Sequence, residues 1–248
     1  MKKIFKPTIL PIFTLAAGAI GFVLRLWLFL GGTDAKGLLV PNHPAGILCF
    51  VLTAIVLAFA ALCSRQLAPL SSYKKLFPPR LLAGIGCFAA GAGILYVDLR
   101  DIIARQDTIT LITMVMGVLA AASLVGLGLC RMKGKRPFFW LHSVVTVYFM
   151  LHLVCQYRLW SSQPQLQVYF FPLMASVFLM LCTYHYTVLD TEKKGKRSFF
   201  LFCHQTALFF CLLSLQGPSW PFYLAMALWL ATNLCSLNAA PTPEKEEA

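Results

Sequence analysis

Eight stretches of the chain, each roughly 17 to 24 residues long, are almost free of charge, and an α-helix needs that length to cross about 30 Å of hydrocarbon. They run about 8–31, 44–63, 81–99, 108–130, 137–157, 167–189, 198–215 and 219–237. Composition agrees: 59% of the 248 residues are apolar and 12% are charged, where soluble domains carry about 25% charged residues. A soluble core of this size cannot hide so much apolar surface, so lipid must be the solvent. Each span then satisfies its own backbone polar groups, and long apolar runs without β alternation make helices rather than a barrel. The expectation is an all-α polytopic bundle of about eight transmembrane helices. One membrane domain covers 1–237, with halves 1–133 and 134–237 and a disordered cytoplasmic tail at 238–248. The seventh span is the least apolar, because His204, Gln205 and Thr206 fall together in it. Seven spans with a re-entrant segment is the alternative.

The net charge of +12 does not point to nucleic acid, since the cations lie in short clusters between apolar runs and no groove-reading motif accompanies them. With the N-terminus in the cytoplasm, 16 of the 21 Lys and Arg lie on the cytoplasmic side. They are Lys2, Lys3, Lys6; Arg65, Lys74, Lys75, Arg80; Arg131, Lys133, Lys135, Arg136; Lys193, Lys194, Lys196, Arg197; and Lys245. The outer side receives Lys36, Arg100, Arg105 and Arg158. This positive-inside bias supports an even span count and both termini in the cytoplasm of a cell with its cytoplasmic membrane as host. The apolar run after "MKKIFKP" continues through Leu30, too long for a signal-peptide core, so it is read as an uncleaved first span. Most of the nine cysteines lie inside apolar runs, where cysteine acts as a small hydrophobe, and no disulfide framework is expected.

Arg25, in "VLRLWLFLGG", is the one cation inside a span, and the string Arg-Leu-Trp returns at Arg158, Leu159 and Trp160. Four spans separate the two, which suggests a parallel 4+4 repeat of the kind found in transporters, with a site between the halves. Arg25 has two readings: an interfacial anchor beside Trp27, or an anion or headgroup contact shared with Arg158, with Asp34 or Asp98 as alternative partners. Tyr148, His152 and Gln156 recur every four residues on span five, and Ser143 and Thr146 extend the polarity. Such a stripe faces a cavity or another helix. These five residues, Arg25, Arg158, Tyr148, His152 and Gln156, are the ligand-binding candidates. All nine acids are placed in loops, at span ends or in the tail, which weighs against proton or sodium coupling.

Cys182, His185, Cys203 and His204 combine soft sulfur with imidazole near the cytoplasmic side and are the only metal candidates. No catalytic motif is present: Ser143 beside His142 is no dyad, because helical neighbours point about 100° apart. No cofactor is expected. Small residues line two faces, Ala83, Gly86, Ala90 and Gly93 on span three and Gly117 and Ala121 on span four, suited to close helix packing within the chain or against a partner.

The stretch "YRLWSSQPQLQVYFFPLMASVFLMLCTYHY", followed by "GKRSFF", resembles uncharacterised multi-span membrane proteins of Gram-positive anaerobic bacteria over about residues 140 to 215. The resemblance implies a multi-span fold and no activity. The leading functional expectation is binding or facilitated passage of a small solute or lipid, with membrane lipid and a small-molecule ligand as partners. The alternatives are a non-catalytic partner or sensor subunit, as a homo-oligomer or beside another membrane protein, and a Cys/His metal or redox enzyme.

Overall fold

The computed structural model describes residues 9–33, 39–40, 42–65, 77–105, 107–161, 166–191 and 197–237. The tail at 238–248, the N-terminal lysines, Asp34, Lys36 and most lysines of the basic loops lie outside the described residues. The fold is an all-α membrane bundle. Its helices are α1 (Ile9–Gly31), α2 (Pro44–Arg65), α3 (Leu81–Ala104) and α4 (Thr108–Lys133), then α5 (Phe139–Trp160), α6 (Phe170–Thr191), α7 (Arg197–Leu213) and α8 (Trp220–Ser236). A short 3-10 turn, Leu166–Tyr169, precedes α6. Helices α1 to α6 are long and apolar enough to cross a bilayer. At 17 residues, α7 and α8 are each about 26 Å long.

Helices α3 to α8 close a ring: each packs on the next, and α8 returns to α3. Helices α1 and α2 pack on each other and on α7. Thus α7 has four neighbours, α1, α2, α6 and α8, and little of it meets the lipid side. That position explains the polar seventh span, because His204, Gln205 and Thr206 are all buried inside protein. The halves are packed differently: α6 packs on α7, whereas α2 packs on α1 and α7 and is not among the main neighbours of α3.

Large apolar side chains cover the outside, among them Ile12, Val23, Ile55, Leu99 and Ile103. In water this belt would be a large exposed patch; in a bilayer it is the solvated face. The small-residue face of α3 is turned inward onto α8. A Cβ at Gly86 would meet the Thr232 side chain, and one at Gly93 would meet Ala225. Close approach of backbones substitutes for the missing hydrophobic drive between helices in lipid. The faces considered for a partner protein are therefore covered within the chain. Helix α4 is fixed at both ends: the Asp107 carboxylate accepts from the Thr110 amide at 3.2 Å, and Gly134 closes it with φ 64°. That left-handed turn lets the Lys135 amide reach the Cys130 carbonyl at 3.0 Å.

Candidate functional site

The end of the bundle holding the α1 C-terminus carries the larger described cavity. Its key residue is Arg25. On α1 the inward positions are 10, 11, 14, 17, 18, 21, 25 and 28, a 3.6-residue stripe that places Arg25 in line with Gly18 and Gly21. Arg25 is 3% exposed, whereas Trp27 is 48% exposed on the other face. The interfacial-anchor reading is thus corrected: the guanidinium turns into the protein, away from Trp27. Its Nη1 donates to the Leu213 carbonyl at 2.6 Å and its Nη2 to the Val168 carbonyl at 2.9 Å. Leu213 ends α7, so the cation sits where a helix has unpaired carbonyls and the negative end of its dipole. The rings of Phe171 and Phe29 lie 4.9 and 5.2 Å from the guanidinium carbon.

Beside Arg25 is a cavity of about 340 Å³ bordered also by Arg100, Arg105, Gln156, Trp160 and Ser219. Arg100 pairs with Asp101 at 2.7 Å and donates to the Pro218 carbonyl at 2.6 Å and the Ser219 hydroxyl at 3.0 Å. Three arginines line the space, and Asp101 is the one carboxylate paired with any of them among the described residues. A second cavity, about 150 Å³, shares Arg25, Phe29 and Val168 with the first and runs beneath His43 to Ile47 and Phe50 of α2. The first cavity can accept an anion by charge and by the N–H groups these arginines have left. Its volume is within the range of small-molecule sites.

The polar stripe of α5 zips onto α3. The Tyr148 hydroxyl donates to Asp98 Oδ1 at 3.1 Å, and the Gln156 amide donates to Asp101 Oδ2 at 3.3 Å. His152 stacks between Tyr148 and Phe222, with ring centroids 5.7 and 5.0 Å away. Ser143 and Thr146 bond carbonyls of their own helix. Of the five candidates, the structure puts Arg25 and Gln156 on the cavity wall and Tyr148 and His152 in the packed interior next to it. Arg158 does not join them. It is exposed, with Asp107 4.0 Å away as its nearest acid.

Two charged residues lie elsewhere than the sequence predicts. Asp98 is not at a span end: α3 continues to Ala104, and the carboxyl is 4% exposed. Its Oδ2 has no partner and points at Gly117 of α4, where any Cβ would collide with it. The chain therefore does carry an acid inside the bundle, and the argument against ion coupling from its absence fails. Arg131 is not a loop cation. It is 5% exposed at the other end of the bundle. Its Nη2 bonds Asn233 at 3.0 Å and Ser236 at 2.7 Å, and its guanidinium carbon lies 4.3 Å from the Phe77 ring centroid. Asp98 and Asp101 are one turn apart on α3, and Asn233 and Ser236 share one face of α8.

The Cys/His layer assembles only in part. His204 Nε2 lies 2.9 Å from the Leu230 carbonyl and must carry the hydrogen there, which leaves Nδ1 to accept from the Cys182 thiol at 3.2 Å. Both ring nitrogens are thereby used in packing. His185 turns instead to Tyr184 and Phe199. No group of three or more metal-ligating side chains forms among the described residues. All nine cysteines are unpaired. Comparison with protein-family models, curated proteins and solved structures finds no match.

Proposed function

We propose that this membrane bundle binds a small anionic ligand in the Arg25 cavity, and that the cavity opens to the outer face of the cytoplasmic membrane. One observation carries the reading. Arg25, Arg100 and Arg105 converge on one space, and Asp101 answers only Arg100. Three cations around a low-dielectric cavity concentrate anions and repel cations. The outward direction follows from the positive-inside bias, which puts the lysine-rich loops at the Arg131 end in the cytoplasm. A ligand bound beside a helix bundle that also holds Asp98 and Arg131 in its interior suits a carrier or facilitator better than a scaffold.

A test independent of ligand identity uses Gly217, on the cavity wall, where an added Cβ meets nothing within 4 Å. Gly217→Cys is made with Cys130, Cys155 and Cys235 replaced by serine. Its reaction rates with an anionic and a cationic thiosulfonate are compared with those of free cysteine. The anionic reagent is expected to be favoured roughly tenfold or more. A ratio equal to that of free cysteine, or a preference for the cation, overturns the proposal.

A further inference from the structure

We infer that the occupant is an anionic phospholipid, with its phosphate held by Arg25, Arg100 and Arg105 and one acyl chain laid through the second cavity. This rests on reading the larger cavity as an anion site, and it adds the class of ligand.

The two cavities meet at the same three residues, Arg25, Phe29 and Val168. The larger adds Arg100 and Arg105 to Arg25. The smaller has Arg25, Asn42 and His43 on one side and a hydrocarbon wall of Leu28, Phe29, Ile47, Phe50 and Phe171 on the other. At its far side Ile47 and Phe50 are 52% and 48% exposed on the lipid-facing side of α2. A free anion would use the charged and polar groups and leave the hydrocarbon wall of the smaller space uncovered. A molecule with a charged head and a hydrocarbon chain uses both, and its second chain can remain in the bilayer beside Ile47 and Phe50. The chemistry of the head follows from the donors. Arg100 commits its Nε and Nη2 to Asp101 and Arg25 its two Nη atoms to carbonyls, so a phosphate would take their charge, the N–H groups they have left and the guanidinium of Arg105, as basic pockets between transmembrane helices hold lipid head groups. Arg25 is fixed by the Leu213 and Val168 carbonyls, so its charge is set in place before the lipid arrives. A zwitterionic lipid brings its own cation into the arginine cluster and is disfavoured.

The experiment uses the full chain in mixed micelles containing equal mole fractions of phosphatidylglycerol and phosphatidylcholine, and native mass spectrometry counts the lipid retained. Phosphatidylglycerol is expected to be retained over phosphatidylcholine. Arg105, which is exposed, can be changed to Gln without disturbing the core. Its loss is expected to weaken retention about fivefold, the contribution of one basic residue at an anionic lipid. Gly46 borders the second cavity, and a Cβ there makes only ordinary contacts with Leu28 at 3.8 and 3.9 Å. Gly46→Leu should fill the chain groove, abolish phosphatidylglycerol retention and keep the anionic preference of Gly217→Cys. Equal retention of the two lipids overturns the inference. So does undiminished retention in Gly46→Leu. Inorganic phosphate protecting Gly217→Cys where phosphatidylglycerol does not would assign the cavity to a free anion and also overturn it. Loss of the anionic preference in the parent Gly217→Cys protein would remove the anion site itself, a failure distinct from these.

Discussion

Replacing Gly117 by alanine probes how tightly Asp98 is held. An alanine Cβ at this position would lie 2.8 Å from the Asp98 carboxyl carbon and 3.2 Å from Tyr148 Cε2, and closer still to Asp98 Oδ2. The carboxyl cannot swing away freely, because Asp98 is 4% exposed and Tyr148 is fully buried. Forcing a methyl group into a packed interior costs about 1–3 kcal/mol. Breaking the Tyr148–Asp98 hydrogen bond adds about 0.6 kcal/mol, the mean for such bonds between helices in a membrane. The better helix propensity of alanine returns about 1 kcal/mol. The net expectation is a loss of about 0.6–2.6 kcal/mol. In the Asp98→Ala background the obstacle is gone, and Gly117→Ala should then be neutral or stabilising, a coupling of about 2 kcal/mol between the two positions. Unfolding by sodium dodecyl sulfate in mixed micelles, followed by the fluorescence of the five tryptophans, reads all four proteins. If Gly117→Ala stabilises the protein by about 1 kcal/mol in both backgrounds, as at an unobstructed helical glycine, Asp98 is not packed on α4 and the interior acid is misassigned.

Other substitutions test separate parts of the bundle. Arg25→Gln removes charged donors from the Leu213 and Val168 carbonyls and should cost about 2–4 kcal/mol in the same unfolding assay. Arg25→Lys should recover less than half of that, because one ammonium cannot reproduce a two-pronged fork; full recovery would contradict the geometry. Gln205 is buried in α7 with neither amide atom hydrogen-bonded, so Gln205→Leu should raise stability by about 1–3 kcal/mol, and a loss would mean that Gln205 has a partner. At the N-terminus of α4, hydrogen bonds from Thr110, helped by Arg158 nearby, hold the Asp107 carboxyl below the usual carboxylate range. A group lowered on folding stabilises above its unfolded pKa, about 3.9, and loses that contribution as pH falls through its folded value. Asp107→Asn keeps a capping side chain. It should be less stable than the parent at neutral pH, lacking the charge, and converge with it as pH falls below about 4; parallel acid limbs would refute the assignment.

The spans were legible because hydrophobic length is a property of the sequence alone. All eight expected stretches overlap the eight helices, with ends displaced by two to five residues at α2 through α7. The small displacement at α3 mattered most. Ending the span near residue 99 put Asp98 in the interface, whereas the helix runs five residues further and buries it. Hydropathy also cannot say which way a lone charge in a helix points. The spacing of Gly18, Gly21 and Arg25 holds the direction for α1, since small residues mark the packed face, but Trp27 beside Arg25 points to the other side. Arg131 was hidden for a related reason: in the last turn of α4 it reads as one more member of a basic loop, and only Asn233 and Ser236, a hundred residues later, provide its place in the core. The α5 stripe was recognisable from its spacing, but its partners on α3 depend on which helices become neighbours, and that is decided by closure of the six-helix ring.

The most direct test of the whole account is membrane-impermeant thiol labelling of intact cells, comparing Gly217→Cys with Lys135→Cys in the same cysteine-depleted background. Gly217 borders the arginine cavity, and Lys135 is exposed at the opposite end of the bundle. The account predicts that Gly217→Cys is labelled from outside and that Lys135→Cys is labelled only after the membrane is permeabilised. Labelling of Lys135→Cys in intact cells, with Gly217→Cys protected, would place the arginine cavity in the cytoplasm and contradict it.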